Sequence, residues 1–290
     1  MIYPSTFSIV AYSPHETAWG IAVASKFPAV GAVVPWARAG AGAVATQSYA
    51  NTSLGPNGLG LMESGVSAED ALRQLLDSDT EAGHRQVGFV DKTGGSATFT
   101  GASCHEWASG ATGDGFAAQG NILTGPEVID AMVEEYNRAS GELTGRLYKA
   151  LLAGDRAGGD RRGRQSAAIL VVKEGAGYAG FNDRWIDYRV DDHADPVVRL
   201  GELLQLHELY FGSSSSNQQI PLQGEPLADL QKIMTRLGYY SGPLDGTYSA
   251  ATRTALESFI GNENFEERTN FDAGLMDLPI FEYLIEHFAK

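Results

Sequence analysis

Strand-like runs in this chain follow one another with only turn residues between them, and that pairing limits the folds open to it. Thr6–Ala11 and Trp19–Ser25 are apolar runs joined by a polar turn around Pro14 and His15. RQVGFVD and GSATFTG flank Lys92-Thr93-Gly94, a second hairpin signal. A parallel pair needs a crossover of about a dozen residues or more, usually a helix, so neither pair belongs to a βαβ unit. Ala43–Gln47, FAAQGNI, QSAAILVV and RWIDYRV are further strand candidates.

Helical patterns come in separate groups. VSAEDALRQLLDSD has Ser67 as N-cap with Asp70 three residues on, and PEVIDAMVEEYNRA follows a capping box at Thr124-Gly125-Pro126-Glu127. LTGRLYKALLAG ends at Gly154, and DPVVRLGELLQLHELYF has Asp195 as cap and Pro196 in its first turn. Hairpins plus grouped helices predict an α+β fold, antiparallel sheet layers covered by helices. One stretch breaks the composition: GSSSSNQQIPLQGEP, from Gly212 to Pro226, has almost no apolar content. The expected organisation is therefore a first domain over 1–212, a linker over 213–224 and a second domain over 225–290.

Charge and cysteine usage narrow the function classes. A net charge of −15 and a pI of about 4.7 argue against nucleic acid or an anionic membrane surface as partner. Cys104 is the one cysteine, so no disulfide forms within the chain, which fits a reducing compartment. The N-terminus lacks a basic n-region with an apolar h-region, and no apolar run reaches membrane-span length; the expected location is the cytoplasm. The histidines have no metal-ligand spacing, GAGA at 40–43 lacks the rest of a dinucleotide fingerprint, and Asp191-Asp192-His193-Ala194-Asp195 reads as an acidic helix entry. No metal or cofactor is expected. Cys104-His105 reads as a packed cysteine, since sequence neighbours rarely present a working dyad.

The opening hairpin carries the first candidate site. Phe7, Ile9 and Ala11 share one face of their strand, and Thr6, Ser8 and Val10 the other. A register that joins this bulky face to Trp19, Ile21 and Val23 places Thr6 near Lys26 and Ser8 near Ala24, with Ser25 beside them. Two readings stay open: Lys26 tunes a hydroxyl nucleophile, or it marks where the strand meets water. Gln47, Asn51, Asp114 and Asn121 stand at strand ends among glycines, as pocket lining or as turn caps. GGDRRGRQSAA concentrates Asp160, Arg161, Arg162, Arg164 and Gln165 before a strand. The arginines either bind a substrate carboxylate or pair with Asp155 and Asp160.

TFSIVAYSP, WGIAVASKFPAVGAVVPWARAGAGAVATQ, GPNGLGLMESGVSAEDAL, HRQVGFVD, FTG, GDGFAAQGNIL and GGDRRGRQSAAILVV together resemble the bacterial and archaeal domain-of-unknown-function 1028 family. The resemblance covers nearly all of residues 1–212. It implies an N-terminal-nucleophile hydrolase fold, a four-layer αββα sandwich. It also implies a Thr, Ser or Cys at the mature N-terminus that attacks an amide carbonyl, its own α-amine serving as base. Carried onto this chain, the nucleophile is Thr6, with Lys26 and Ser8 beside it. Many family members begin Met-Thr-Phe-Ser, whereas Ile2-Tyr3-Pro4-Ser5 intervene here, so a free Thr6 amine requires cleavage after Ser5. The expectation is an amidohydrolase acting on a small amide or peptide-like substrate, the alternative a non-catalytic binding protein on the same fold. LADLQKIMTRLGYYSGPLDGTYSAATRTALESFIGNENFEER is similar to small peptidoglycan-binding-type domains. Helices are expected over 227–237, 250–260 and 278–289, and the resemblance implies a muropeptide partner, packing against the first domain, or assembly of identical chains.

Overall fold

The computed structural model describes residues 6–212 and 218–289. The chain forms two compact units, one ending at Glu202 and the other beginning at Leu203. The five residues expected to be removed before Thr6, and positions 213–217 of the expected linker, lie outside the described residues.

The first unit runs β1 (Thr6–Ser13), β2 (Ala18–Ser25), β3 (Pro35–Arg38), β4 (Gly42–Ser48), α1 (Leu54–Glu63), α2 (Ala68–Asp77), β5 (Arg85–Asp91), β6 (Ser96–Thr100), β7 (Ser109–Gly113), β8 (Phe116–Asn121), α3 (Glu127–Arg138), α4 (Leu143–Arg156), β9 (Ser166–Lys173), β10 (Arg184–Val190) and the start of α5 (Pro196–Phe211). A six-stranded sheet has the order β10-β9-β2-β1-β8-β7, and a four-stranded sheet the order β3-β4-β5-β6; all pairings are antiparallel. The α+β class and both hairpins are as expected from the sequence. α4 packs on β1 and β2 and α3 on β7 and β8, while α1 and α2 pack on the four-stranded sheet. The remaining faces meet, β1 against β4 and β5, and β5 against β8.

The register of the first hairpin differs by one residue from the sequence reading. Thr6 stands opposite Ser25, Ser8 opposite Val23 and Tyr12 opposite Trp19. Phe7, Ile9 and Ala11 therefore share their face with Ala24, Ala22 and Gly20. The reason is that both faces are buried. The helix-covered face needs small partners, since a Cβ on Gly20 would come within 2.7 Å of Leu147 Cδ1. The bulky Trp19, Ile21 and Val23 instead fill the space between the sheets, where the Tyr12 and Trp19 rings stack 5.1 Å apart. Matching bulk to bulk, which assumes one open face, gives the wrong register here.

Two helix starts test the cap readings. Ser67 accepts from Asp70 N–H as expected. The cap at Thr124 is not formed: α3 starts at Glu127 after Pro126 with no side-chain cap, and Thr124 N–H donates to Gly159 O. α1 was not expected, because its sequence LGPNGLGLME is rich in helix breakers. Pro56 lies in the first turn, where its missing N–H is harmless. Gly55 and Gly58 let the helix lie directly on the Trp36 and Phe89 rings; a Cβ there would sit 2.3 Å and 2.5 Å from them.

The second unit takes the end of α5, β11 (Gln219–Pro221), α6 (Gly224–Arg236), α7 (Ala250–Asn262), β12 (Thr269–Asn270), β13 (Leu275–Asp277) and α8 (Leu278–Phe288). The three expected helices surround a core of Leu227, Leu230, Leu256, Phe259, Phe265 and Leu284. A small sheet of order β11-β13-β12 accompanies them, so residues 219–221 of the expected linker are part of a folded unit.

Candidate functional site

β1 turns Thr6 and Ser8 toward the four-stranded sheet. Nearer the hairpin turn the space between the sheets is apolar, filled by Val10, Trp19, Ile21, Val23, Ala43 and Val90. From Ser8 to the mouth of the strand it becomes a seam of buried amides and hydroxyls. Ser8 Oγ donates to Gln47 Oε1 at 2.6 Å and accepts from Gln119 Nε2 at 2.7 Å. Gln47 Nε2 donates to Gln86 Oε1 at 2.9 Å and to the Thr6 carbonyl at 3.2 Å. Gln86 Oε1 also accepts from Asn121 Nδ2 at 2.8 Å, and Gln86 Nε2 donates to Thr100 Oγ1 and the Gly120 carbonyl. All four amide side chains are buried, and each amide nitrogen donates to a partner within the seam. At the outer end the Thr6 and Ser25 hydroxyls lie 3.3 Å apart. Every side chain in this seam is uncharged, so a hydroxyl there needs a base from outside it.

A cleft of about 240 Å³ opens on the other face of the same strand ends. Phe7, Ala24, Ser25, Asp155, Arg156 and Arg164 are among its lining. The segment after α4 is folded back by buried carboxylates. Asp160 Oδ2 accepts the Lys26 N–H at 2.7 Å, and the carboxylate is bracketed by Arg162 through its backbone N–H, Nε and Nη2. Asp155 holds Arg164 Nε through both oxygens, at 2.8 Å and 3.1 Å, and raises the proton affinity of that guanidinium further. The Asp160 clamp fixes the backbone next to Ser25, and thereby the distance between the two hydroxyls.

A model of a family of unknown function, DUF1028, matches residues 6–200. The chain belongs to this family. The crystal structure of protein SPO2555 from Silicibacter pomeroyi, itself described as a DUF1028 protein, is 29% identical, with a TM-score of 0.66; the match covers 75% of this chain and 92% of that one. A second family model, whose description names a peptidoglycan binding domain, matches residues 210–284. Comparison with curated proteins gives no match.

The DUF1028 unit gathers some of the residues singled out in the sequence and disperses others. Thr6, Ser8, Ser25, Gln47 and Asn121 meet in the seam. Ser8 has its proton on Gln47 and a lone pair on Gln119, which makes it a crosslink between sheets. Lys26 does not face Thr6; it follows the last residue of β2, and its Nζ donates to the Arg164 carbonyl at 3.2 Å. Ser25 takes the place opposite Thr6. Asp160 and Arg162 pair with each other, Arg161 is exposed and outside the cleft lining, and Gln165 donates to Asp192 at the surface. Asn51 is a turn cap: it accepts from Ser53 N–H and donates to Asp79. Asp114 is exposed in the turn before β8, at the far end of that strand from Asn121. At about 3.3 Å per residue it lies about 20 Å from Thr6. Two members of the DUF1028 seam, Gln86 and Gln119, escaped the sequence reading. The signal was present: each is an uncharged polar residue next to the apolar run of its strand, Gln86 before Val87 and Gln119 after Ala118. Cys104 is buried, and burial pushes its thiol up, as a packed cysteine requires.

Proposed function

We propose that the first unit is a four-layer αββα sandwich of the N-terminal-nucleophile type that hydrolyses a small amide or peptide-like substrate, with Thr6 as nucleophile. The observation that carries this reading is the place of Thr6. It is the first residue matched by the family model, and its hydroxyl meets Ser25 at the outer end of a buried polar seam. Helices packed outside two sheets that face each other support the layered class. The seam supplies no charged group, so the base has to be the α-amine that Thr6 gains when residues 1–5 are removed. An α-amine titrates near pH about 7.7–8.0, close to working pH. It takes the hydroxyl proton as Oγ1 adds to the carbonyl carbon, and gives it to the leaving nitrogen as the C–N bond breaks. Water then hydrolyses the ester and restores Thr6.

The test is intact mass and N-terminal sequencing of the protein from its native host, joined to turnover of an acyl-amide library. A start at Thr6, with turnover abolished in Thr6→Ala, is expected. That substitution removes one neutral hydrogen bond, worth about 1 kcal/mol, so the thermal midpoint moves by a few degrees at most. A persistent Met1 or Ile2 start overturns the hydrolase.

A second reading is favoured by the match over residues 210–284: a non-catalytic protein that binds a muropeptide. It is supported by an unprocessed N-terminus together with a muropeptide-dependent rise in thermal midpoint, and it fails if muropeptides leave the midpoint unchanged.

A further inference from the structure

We propose that the cleft beside Ser25 receives a carboxylate of the substrate and that Arg156 and Arg164 are its anchors; the inference deepens the amidohydrolase reading and rests on it for the link to turnover. Charge accounting carries it. The cleft is lined by two carboxylates, Asp155 and Asp160, and two guanidinium groups, Arg156 and Arg164. Asp160 is neutralised by Arg162, which is not part of the lining. Asp155 is neutralised by Arg164 through Nε alone, which leaves that side chain's outer nitrogens toward solvent and a 3.4 Å contact with Asp195. Arg156 makes no hydrogen bond or ion pair among the described residues. In a chain of net charge −15, Arg156 is therefore the one guanidinium of this cleft that no carboxylate pairs, and Ser25, which lines the cleft, contacts the hydroxyl of the proposed nucleophile. A guanidinium matches a carboxylate in bidentate geometry. Volume sets the size of the ligand. About 240 Å³ is below the roughly 300–1,000 Å³ of sites that hold a whole drug-sized molecule. The cleft suits one amino-acid-sized group bearing a carboxylate, with Ser25 joining it to the Thr6 hydroxyl. Of the arginines the sequence singles out, only Arg164 is an anchor; the other anchor, Arg156, lies outside that cluster.

Calorimetric titration of the full chain in the Thr6→Ala background, where no turnover occurs, tests this with N-acetyl-L-alanine and its neutral amide. The acid should bind at least tenfold tighter than the amide, and Arg156→Gln should weaken the acid about tenfold. Arg73→Gln, which removes an exposed charge on α2, should leave binding unchanged. Equal affinity for acid and amide, no binding of the acid, or indifference to Arg156→Gln overturns the proposal. If wild-type protein turns over amides without regard to a carboxylate, the hydrolase stands and this inference falls. If the acid binds through Arg156 in a chain that turns over no amide, the carboxylate site stands and the hydrolase falls.

Discussion

Asp79 shows how single charges are held in this protein. Its carboxylate accepts from Arg85 Nε at 2.9 Å and Nη2 at 3.1 Å, and from Asn51 Nδ2 at 2.9 Å. The Arg85 hydrogen bond, opposed by burial, holds the Asp79 carboxyl far below the ordinary carboxylate range. Asp91 is similar. Burial pushes it up, but donors from Ala68, Thr93 and Gly95 prevail and hold it low. A carboxyl that binds its proton less readily when folded stabilises the fold above its unfolded pKa, about 3.9. That contribution is lost as pH falls toward the folded value. Stability should therefore drop steeply below about pH 4. Asp79→Asn should lose about 1.5–3 kcal/mol near neutral pH, the range for hydrogen bonds to charged groups, and converge with wild type at the acid end. Urea denaturation in steps from pH 7 down toward the folded value measures both; a loss that does not shrink as pH falls refutes the assignment. At this scale the sequence was half legible. Thr6 and Ser25 were found because hydroxyls at strand ends are visible in the text. Lys26 was misplaced because a one-residue change of register reverses every side chain.

At the level of elements, α1 is the informative case. Its helix is specified by packing against a ring-lined sheet face, not by propensity, and a reading from propensity passes over it. Gly55 and Gly60 in that helix make opposite predictions. A Cβ on Gly55 would strike the Trp36 ring, whereas one on Gly60 meets nothing within 4 Å. Gly60→Ala should raise stability, by up to about 1 kcal/mol from helix propensity. Gly55→Ala should lower it by about 1–3 kcal/mol, the range for overpacking. Thermal melts of the two variants decide this, and a stabilised Gly55→Ala would refute the packing account. The same logic explains β3 and β7, which the sequence reading also missed. Both are short edge strands, four and five residues long, and PWAR and SGATG carry little β-branched or alternating signal. The long central strands were legible because both their faces are buried and their apolar runs are nearly continuous.

For the whole molecule, the sequence marks a change of composition after Phe211, yet the second compact unit begins earlier, at Leu203. The difference is physical. Serine and glutamine content reports which residues avoid a core, whereas a unit's extent depends on what its buried charges need. Arg268 and Asp277 form an ion pair whose side chains are each 6% exposed. The same Arg268 donates through Nη1 to the carbonyls of Glu208 and Leu209, both at 2.8 Å, closing the last turn of α5. Tyr210 stacks on Phe265 with ring centroids 4.8 Å apart. A fragment that starts at 225 loses these carbonyls, the Tyr210 ring and the β11 strand. A fragment that starts at 203 keeps them. The fragment 203–290 should therefore unfold in one cooperative transition, and 225–290 at a clearly lower temperature or without cooperativity. Arg268→Ala in the longer fragment leaves Asp277 buried and unpaired, which costs about 3–5 kcal/mol and should bring it down to the shorter fragment's behaviour. Calorimetry on the three proteins reads this directly. If 225–290 melts as cooperatively and as high as 203–290, the end of α5 is an appendage, and the peptidoglycan-binding-type module is complete without it.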